Sequence, residues 1–160
     1  MNYSKAEISK AILKVMEEVK GIEKTMNVGS GNFGYKGVSD QLVKEVIRPS
    51  MIKNGLSIVP TNVEAKATTD RWDDGGRMKQ STLTEVTTKY LLLHTSGESI
   101  EIAGYGHGVD NQDKGAGKAT TYALKYALLY MFLIPTGKID DADTEHSDVI
   151  EVPQVTNTRR

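Results

Sequence analysis

The chain has 160 residues, a net charge of −1 and 38% hydrophobic residues, enough for one soluble domain with a real core. It has no cysteine, which excludes disulfides, thiolate metal sites and thiol nucleophiles and fits a reducing compartment. The N-terminal stretch MNYSKAEISKAI lacks the apolar core of a secretion signal, and no uninterrupted apolar run is long enough to span a membrane.

Ser4 and Glu7 form a capping-box start, and Ile8, Ile12, Val15, Met16, Val19 and Ile22 then recur at helical spacing. This predicts a helix from about Lys5 to Lys24. A glycine-rich loop, NVGSGNFGYKG, follows and carries Phe33, Tyr35 and Lys36. Ser39 can cap a second helix whose apolar positions are Leu42, Val43, Val46, Ile47, Met51 and Ile52. Pro49 should kink or break that helix, and Gly55 can close it in a left-handed cap.

From Leu56 the period changes to that of strands. GLSIVPTNVEAKATTD alternates, WDDGGR is a strong turn signal, and MKQSTLTEVTTKYLLLHT is a long Thr- and Val-rich strand. TSGE marks a second turn and SIEIAGYGHG a third strand, so an antiparallel three-stranded meander is expected. Asn111 or Asp113 can cap the long helix that follows. Beyond Pro135 the chain is poor in apolar residues and holds six acids against three bases, which reads as a disordered acidic tail. The expected division is therefore a domain over 1–135 and a tail over 136–160, the domain mildly basic. The sequence shows no internal repeat and no low-complexity block. The fold class expected is α+β.

The most informative stretch is Gly104–Pro135. Lys114, Lys118 and Lys125 fall within roughly 40° of one another around a helix axis, beside Tyr122. Ala116, Ala119, Ala123, Leu124, Ala127, Tyr130, Met131 and Ile134 lie on the other side; Tyr126 and Tyr130 read as core. Such a lysine stripe is either a solvated face or a surface that holds a phosphate chain, with the aromatic stacking on bases. The second aromatic-plus-lysine segment, Phe33, Tyr35 and Lys36, favours the latter. Gly104, Gly106 and Gly108 alternate either because backbone packs closely there or because nucleic acid approaches there.

GAGKAT looks like a fragment of a P-loop, but Gln112 replaces its first glycine and Ala119 its magnesium-binding hydroxyl. Asp110 and Asp113 could form a metal-binding carboxylate pair; alternatively Asp113 serves the helix N-terminus and Asp110 the turn. His94, His107 and His146 have no ligand spacing.

These residues together resemble the phage ERF (essential recombination function) family. The match begins with N-F-x-Y-K (Asn32, Phe33, Tyr35, Lys36), a helix with Pro49, and G-L-x-x-x-P (Gly55, Leu56, Pro60). After the meander come G-x-G-x-D-x-x-D-K (Gly106, Gly108, Asp110, Asp113, Lys114) and K-A-x-T-Y-A-x-K-Y (Lys118, Ala119, Thr121, Tyr122, Ala123, Lys125, Tyr126). The likeness runs from about Leu13 to Pro135.

The resemblance implies a β-β-β-α core and an ATP-independent protein that binds single-stranded DNA and anneals complementary strands in phage recombination. It implies a homo-oligomeric ring or filament in the cytoplasm of a bacterial host, no catalytic residues, no metal and no cofactor. Lys114, Lys118 and Lys125 would contact the DNA backbone, with Tyr35 and Lys36 near the groove. Phe33 and Tyr122 join them as stacking candidates, and Arg48, Arg71, Arg77, Lys79 and Lys89 as cations chosen on chemistry. A single-strand-binding protein or an exonuclease, of host or phage, is a further candidate partner. Gly115 and Gly117 depart from good helix formers, so the helix is expected to begin nearer Lys118, with Lys114 on the loop. Two rival readings are a binding or partner-recruiting module without annealing activity, and a metal nuclease built on Asp110 and Asp113.

Overall fold

The computed structural model describes residues 5–23, 26–28, 35–111 and 114–137. Helix α1 (Ala6–Glu18) leads to a small antiparallel pair, β1 (Met26–Val28) and β2 (Tyr35–Gly37). Helix α2 (Asp40–Lys53) follows, then strands β3 (Leu56–Asp73), β4 (Met78–His94) and β5 (Ser99–Asp110), and helix α3 (Gly115–Met131). β3, β4 and β5 form one antiparallel meander in that order, so the chain is an α+β fold with a β-β-β-α core. No helix among the described residues is long and apolar enough to cross a membrane.

Three expectations are corrected. α1 ends at Glu18, not near Lys24, because Val19 turns extended and Ile22 donates its amide to the carbonyl of Pro135 at 2.9 Å. Val19 and Ile22 still enter the core, but from a strap rather than a helix. Its N-cap position is Lys5; the amide of Ile8 is bonded by Glu98 Oε2 at 2.7 Å, an acid reaching in from the β4–β5 turn. Ser4 lies outside the described residues, as do Phe33, Asp113 and the tail beyond Gly137.

The glycine-rich segment is not loop throughout, since β1 and β2 pair within it. Pro49 does not break α2 either. It sits on the exposed side, with Glu45, whose carbonyl loses its amide partner, exposed as well. Val43, Ile47, Ser50 and Met51, buried on the opposite side, keep the helix continuous across it.

Other expectations hold. Ser39 Oγ accepts from the amide of Leu42 at 3.1 Å, and Gly55 is left-handed at φ 70°. In the WDDGGR turn both Gly75 and Gly76 have positive φ, 62° and 84°. Asp74 and Arg77 exchange backbone hydrogen bonds across them, which is the two-residue turn that matches strand twist.

The core lies at one end of the sheet. Ile8 and Val15 of α1, Val43 and Ile47 of α2, Leu92 of β4 and Phe132 just after α3 are almost fully buried there. α1 and α2 are tied by Glu18, which accepts from Ser50 Oγ and Lys53 Nζ, both at 2.7 Å. These donors hold the Glu18 carboxyl down to about 2 and offset an acid's poor placement at a helix C-terminus.

Candidate nucleic-acid interface

At the other end of the sheet α3 packs directly on β4 and β5. The fit depends on missing side chains. A Cβ at Gly104 would stand 2.5 Å from Thr88 Oγ1 and 2.6 Å from the Ala123 carbonyl oxygen. One at Gly108 would stand 2.7 Å from the Gly115 oxygen and 2.9 Å from Lys118 Cβ. The alternating glycines thus exist for helix–strand packing, and α3 covers the face where nucleic acid would otherwise have approached them.

Because α3 sits over β4 and β5, β3 is left bare. Residues 59–73 are exposed throughout. Val63, Ala65, Ala67 and Thr69 oppose Thr88, Val86, Thr84 and Thr82, so by register they share the face that α3 covers on β4. The result is a step, with bare β3 as tread and α3 rising beyond β4. β5 pairs with β4 only as far as Thr82, so residues 70–73 and 78–81 continue as a two-stranded arm.

The N-terminal end of α3 meets the base of this arm. Arg71 Nε contacts Gln80 Oε1 at 3.4 Å, and Gln80 Nε2 donates to the Asn111 carbonyl at 3.4 Å. Thr69 and Thr82 hydroxyls pair at 2.9 Å beside them. α3 itself starts at Gly115 rather than nearer Lys118, with exposed Lys114 as N-cap and no acid in the first turn. Lys118 Nζ donates to Asp110 Oδ2 at 2.6 Å and to the Val109 carbonyl at 3.3 Å, and stays 47% exposed at its side chain. Lys114 and Lys118 therefore stand where the helix dipole is positive, the setting that suits phosphate oxygens, and Arg71 is linked through Gln80 to Asn111 just before the helix.

Lys125 is not on a shared exposed stripe with them. It is 5% exposed, and its ammonium donates to the Val38 carbonyl at 3.1 Å. It lies 4.5 Å from the Tyr122 ring centroid and 4.8 Å from that of Tyr126. Burial pushes its pKa below the usual lysine range, with Asp40 opposing that shift. Tyr126 and Tyr130 are not core: Tyr130 is 71% exposed, and the rings of Tyr122, Tyr126 and Tyr130 follow one another at 6.2 and 5.9 Å. Spacing of four residues along α3 could have suggested that ladder.

The remaining candidates are scattered. Arg77 flanks the arm's turn, and Lys79 pairs with Asp74 there. Lys89 pairs with Glu101 at 3.4 Å on the sheet face away from α3. Arg48 is exposed on α2. Tyr35 and Lys36 fall in β2, three and two residues before Val38. No group of three or more metal-ligating side chains occurs among the described residues.

A meander backed by one helix, with cations at that helix's N-terminal end, defines an α+β domain of the β-β-β-α type. The ERF superfamily model matches residues 8–158, and the chain belongs to that family. Membership connects it with recombination and single-strand annealing. A search of curated proteins returns no match.

Proposed function

We propose that this protein binds single-stranded DNA along the step between α3 and β3 and anneals complementary strands without ATP during phage recombination. The family match over residues 8–158 carries the reading. Lys114 and Lys118 at the start of α3, with Arg71 linked to the preceding residues through Gln80, beside a bare strand of small residues support it.

The physical logic is charge neutralisation. Two complementary strands repel each other through their phosphates, and a row of cationic sites lowers that repulsion while bases stay open to a second strand. Base pairing then drives the product, so the protein supplies position and local concentration rather than bond chemistry. One chain offers few cations, and Lys118 is partly neutralised by Asp110. Homo-oligomers, rings or filaments, would line up many weak sites and gain avidity. β3 and β5 each have one unpaired edge in the sheet and are the natural places for copies to join.

The test is annealing of two labelled complementary oligonucleotides without ATP, alongside the protein's mass in solution. Accelerated annealing by a large oligomer supports the reading. Binding without annealing would instead make the chain a binding or recruiting module.

A further inference from the structure

The buried ammonium of Lys125 calls for a physical reason. Taking a lysine charge out of water is costly, and a methionine or leucine would fill the same space without that cost. What compensates it is specific: one carbonyl, that of Val38, two tyrosine faces within 5 Å, and the negative charge of Asp40. The carbonyl and the carboxylate both belong to the junction between β2 and α2, far from α3 in sequence.

That junction needs an anchor. β1 and β2 form a two-stranded sheet of three residues per strand, separate from the meander. Such a pair is at best marginal in water by itself. Its path to the body runs through Val38, which is buried, and Ser39, which caps α2. The Val38 carbonyl is where α3 takes hold of it. Lys36 is two residues from Val38, so their Cα atoms lie within about 7 Å.

We infer that Lys125 is a positioning residue, whose ammonium ties the segment leaving β2 to α3 and so keeps the Tyr35–Lys36 element beside the DNA-binding helix. This goes beyond a lysine on phosphate: Lys125 acts on DNA only through the backbone it holds. Its effect on binding rests on the single-strand reading above, whereas the tether itself does not.

Two measurements test it. The first uses the wild-type protein, acetylating its lysines in solution with and without a single-stranded oligonucleotide, read by mass spectrometry. Lys125 should stay unmodified in both, while Lys114 and Lys118 react in the free protein. Ready acetylation of Lys125 in the free protein would overturn the tether, whatever the protein does with DNA.

The second uses Lys125→Met, alone and combined with Lys36→Ala. In Lys125→Met, amide exchange at 35–38 should rise while the Gly104–Ala123 contact region stays protected. Single-strand affinity should fall about tenfold, the scale of one hydrogen bond from a charged donor, and Lys36→Ala should cause little further loss in the Lys125→Met background. A full, additive further loss from Lys36→Ala there would mean that Lys125 meets phosphate on its own account and would overturn the inference. Should Lys125→Met not fold, Lys125→Leu, which also lacks a donor, takes its place with the same two readouts, while Lys125→Gln, which keeps one, should hold amide exchange at 35–38 closer to wild type. A wild-type protein that binds no single strand would defeat the function reading, while acetylation and exchange would still decide the tether.

Discussion

Gly106 of β5 and Ala119 of α3 meet backbone to backbone. A methyl group at Gly106 would fall inside the contact distance of the Ala119 carbonyl oxygen, and 2.7 Å from the Ala123 nitrogen. Backbone atoms cannot swing aside as side-chain ends can. Gly106→Ala should therefore push α3 off the sheet and destabilise the fold by about 1–3 kcal/mol, the scale of core overpacking. Denaturant unfolding checks this, and a midpoint equal to wild type would show that the contact is loose. Gly117, with nothing within 4 Å, is the matched control: there alanine should be neutral or stabilise by up to about 1 kcal/mol.

Lys118 is half-exposed and shares its charge with Asp110. Lys118→Ala should weaken single-strand binding and lower the log–log salt slope by about 0.7. Asp110→Asn should do the reverse, raising affinity by freeing the ammonium. Oligonucleotide titrations at several salt concentrations read both. Magnesium-dependent cleavage that Asp110→Asn abolishes would revive a nuclease reading instead.

Glu18 sets a pH dependence. Its carboxyl is held near 2 in the folded protein by Lys53, Ser50 and Asn54, against 4.5 when free. The folded state thus binds its proton less readily than the unfolded state. The resulting stability is full above about pH 4.5 and is lost as pH falls toward 2. Glu18→Gln should be less stable than wild type at neutral pH, and the difference should shrink across that window. Unfolding midpoints between pH 7 and pH 2 check it, and a constant gap would show that the clamp is not electrostatic.

The arm's turn makes its own demand. Gly76, at φ 84°, has open space around it, so only backbone conformation resists a side chain. Gly76→Val should cost about 1–2 kcal/mol, while Gly75→Asn should be tolerated. Thermal unfolding of the two variants should separate them by several degrees.

The acidic residues over 136–160 are expected to act on binding through their charge. A chain ending at Lys138 should keep its annealing activity and bind single strands more tightly, since five Asp or Glu carboxylates within 140–148 and one at Glu151 are gone. Loss of cooperative unfolding in the shortened chain would assign that segment to the fold.

Local chemistry was legible in the chain. The Gly75–Gly76 turn, the Ser39 cap and the three strands follow from residues adjacent in sequence. Lys125 shows where that stops. Its angular position on α3 is right, yet its environment comes from Val38, 87 residues away, and no periodicity reports a partner at that distance. Val19 and Ile22 kept helical spacing but left the helix because Pro135 captures the Ile22 amide. The alternating glycines were visible, but not what covers them. Tyr126 and Tyr130 read as core because they are aromatic, and they stay exposed because α3 turns that flank away from the packed end of the sheet.

The seam between α3 and β5 is made of Gly104, Gly106 and Gly108 on one side and Gly115, Ala119 and Ala123 on the other, with Thr84 and Thr88 of β4 bordering it. The glycines and alanines have no rotamers. Docking the helix therefore surrenders little side-chain conformational entropy along this seam. It also leaves few side chains there that could repack into a second arrangement, so α3 is expected to seat fully or come away as a unit.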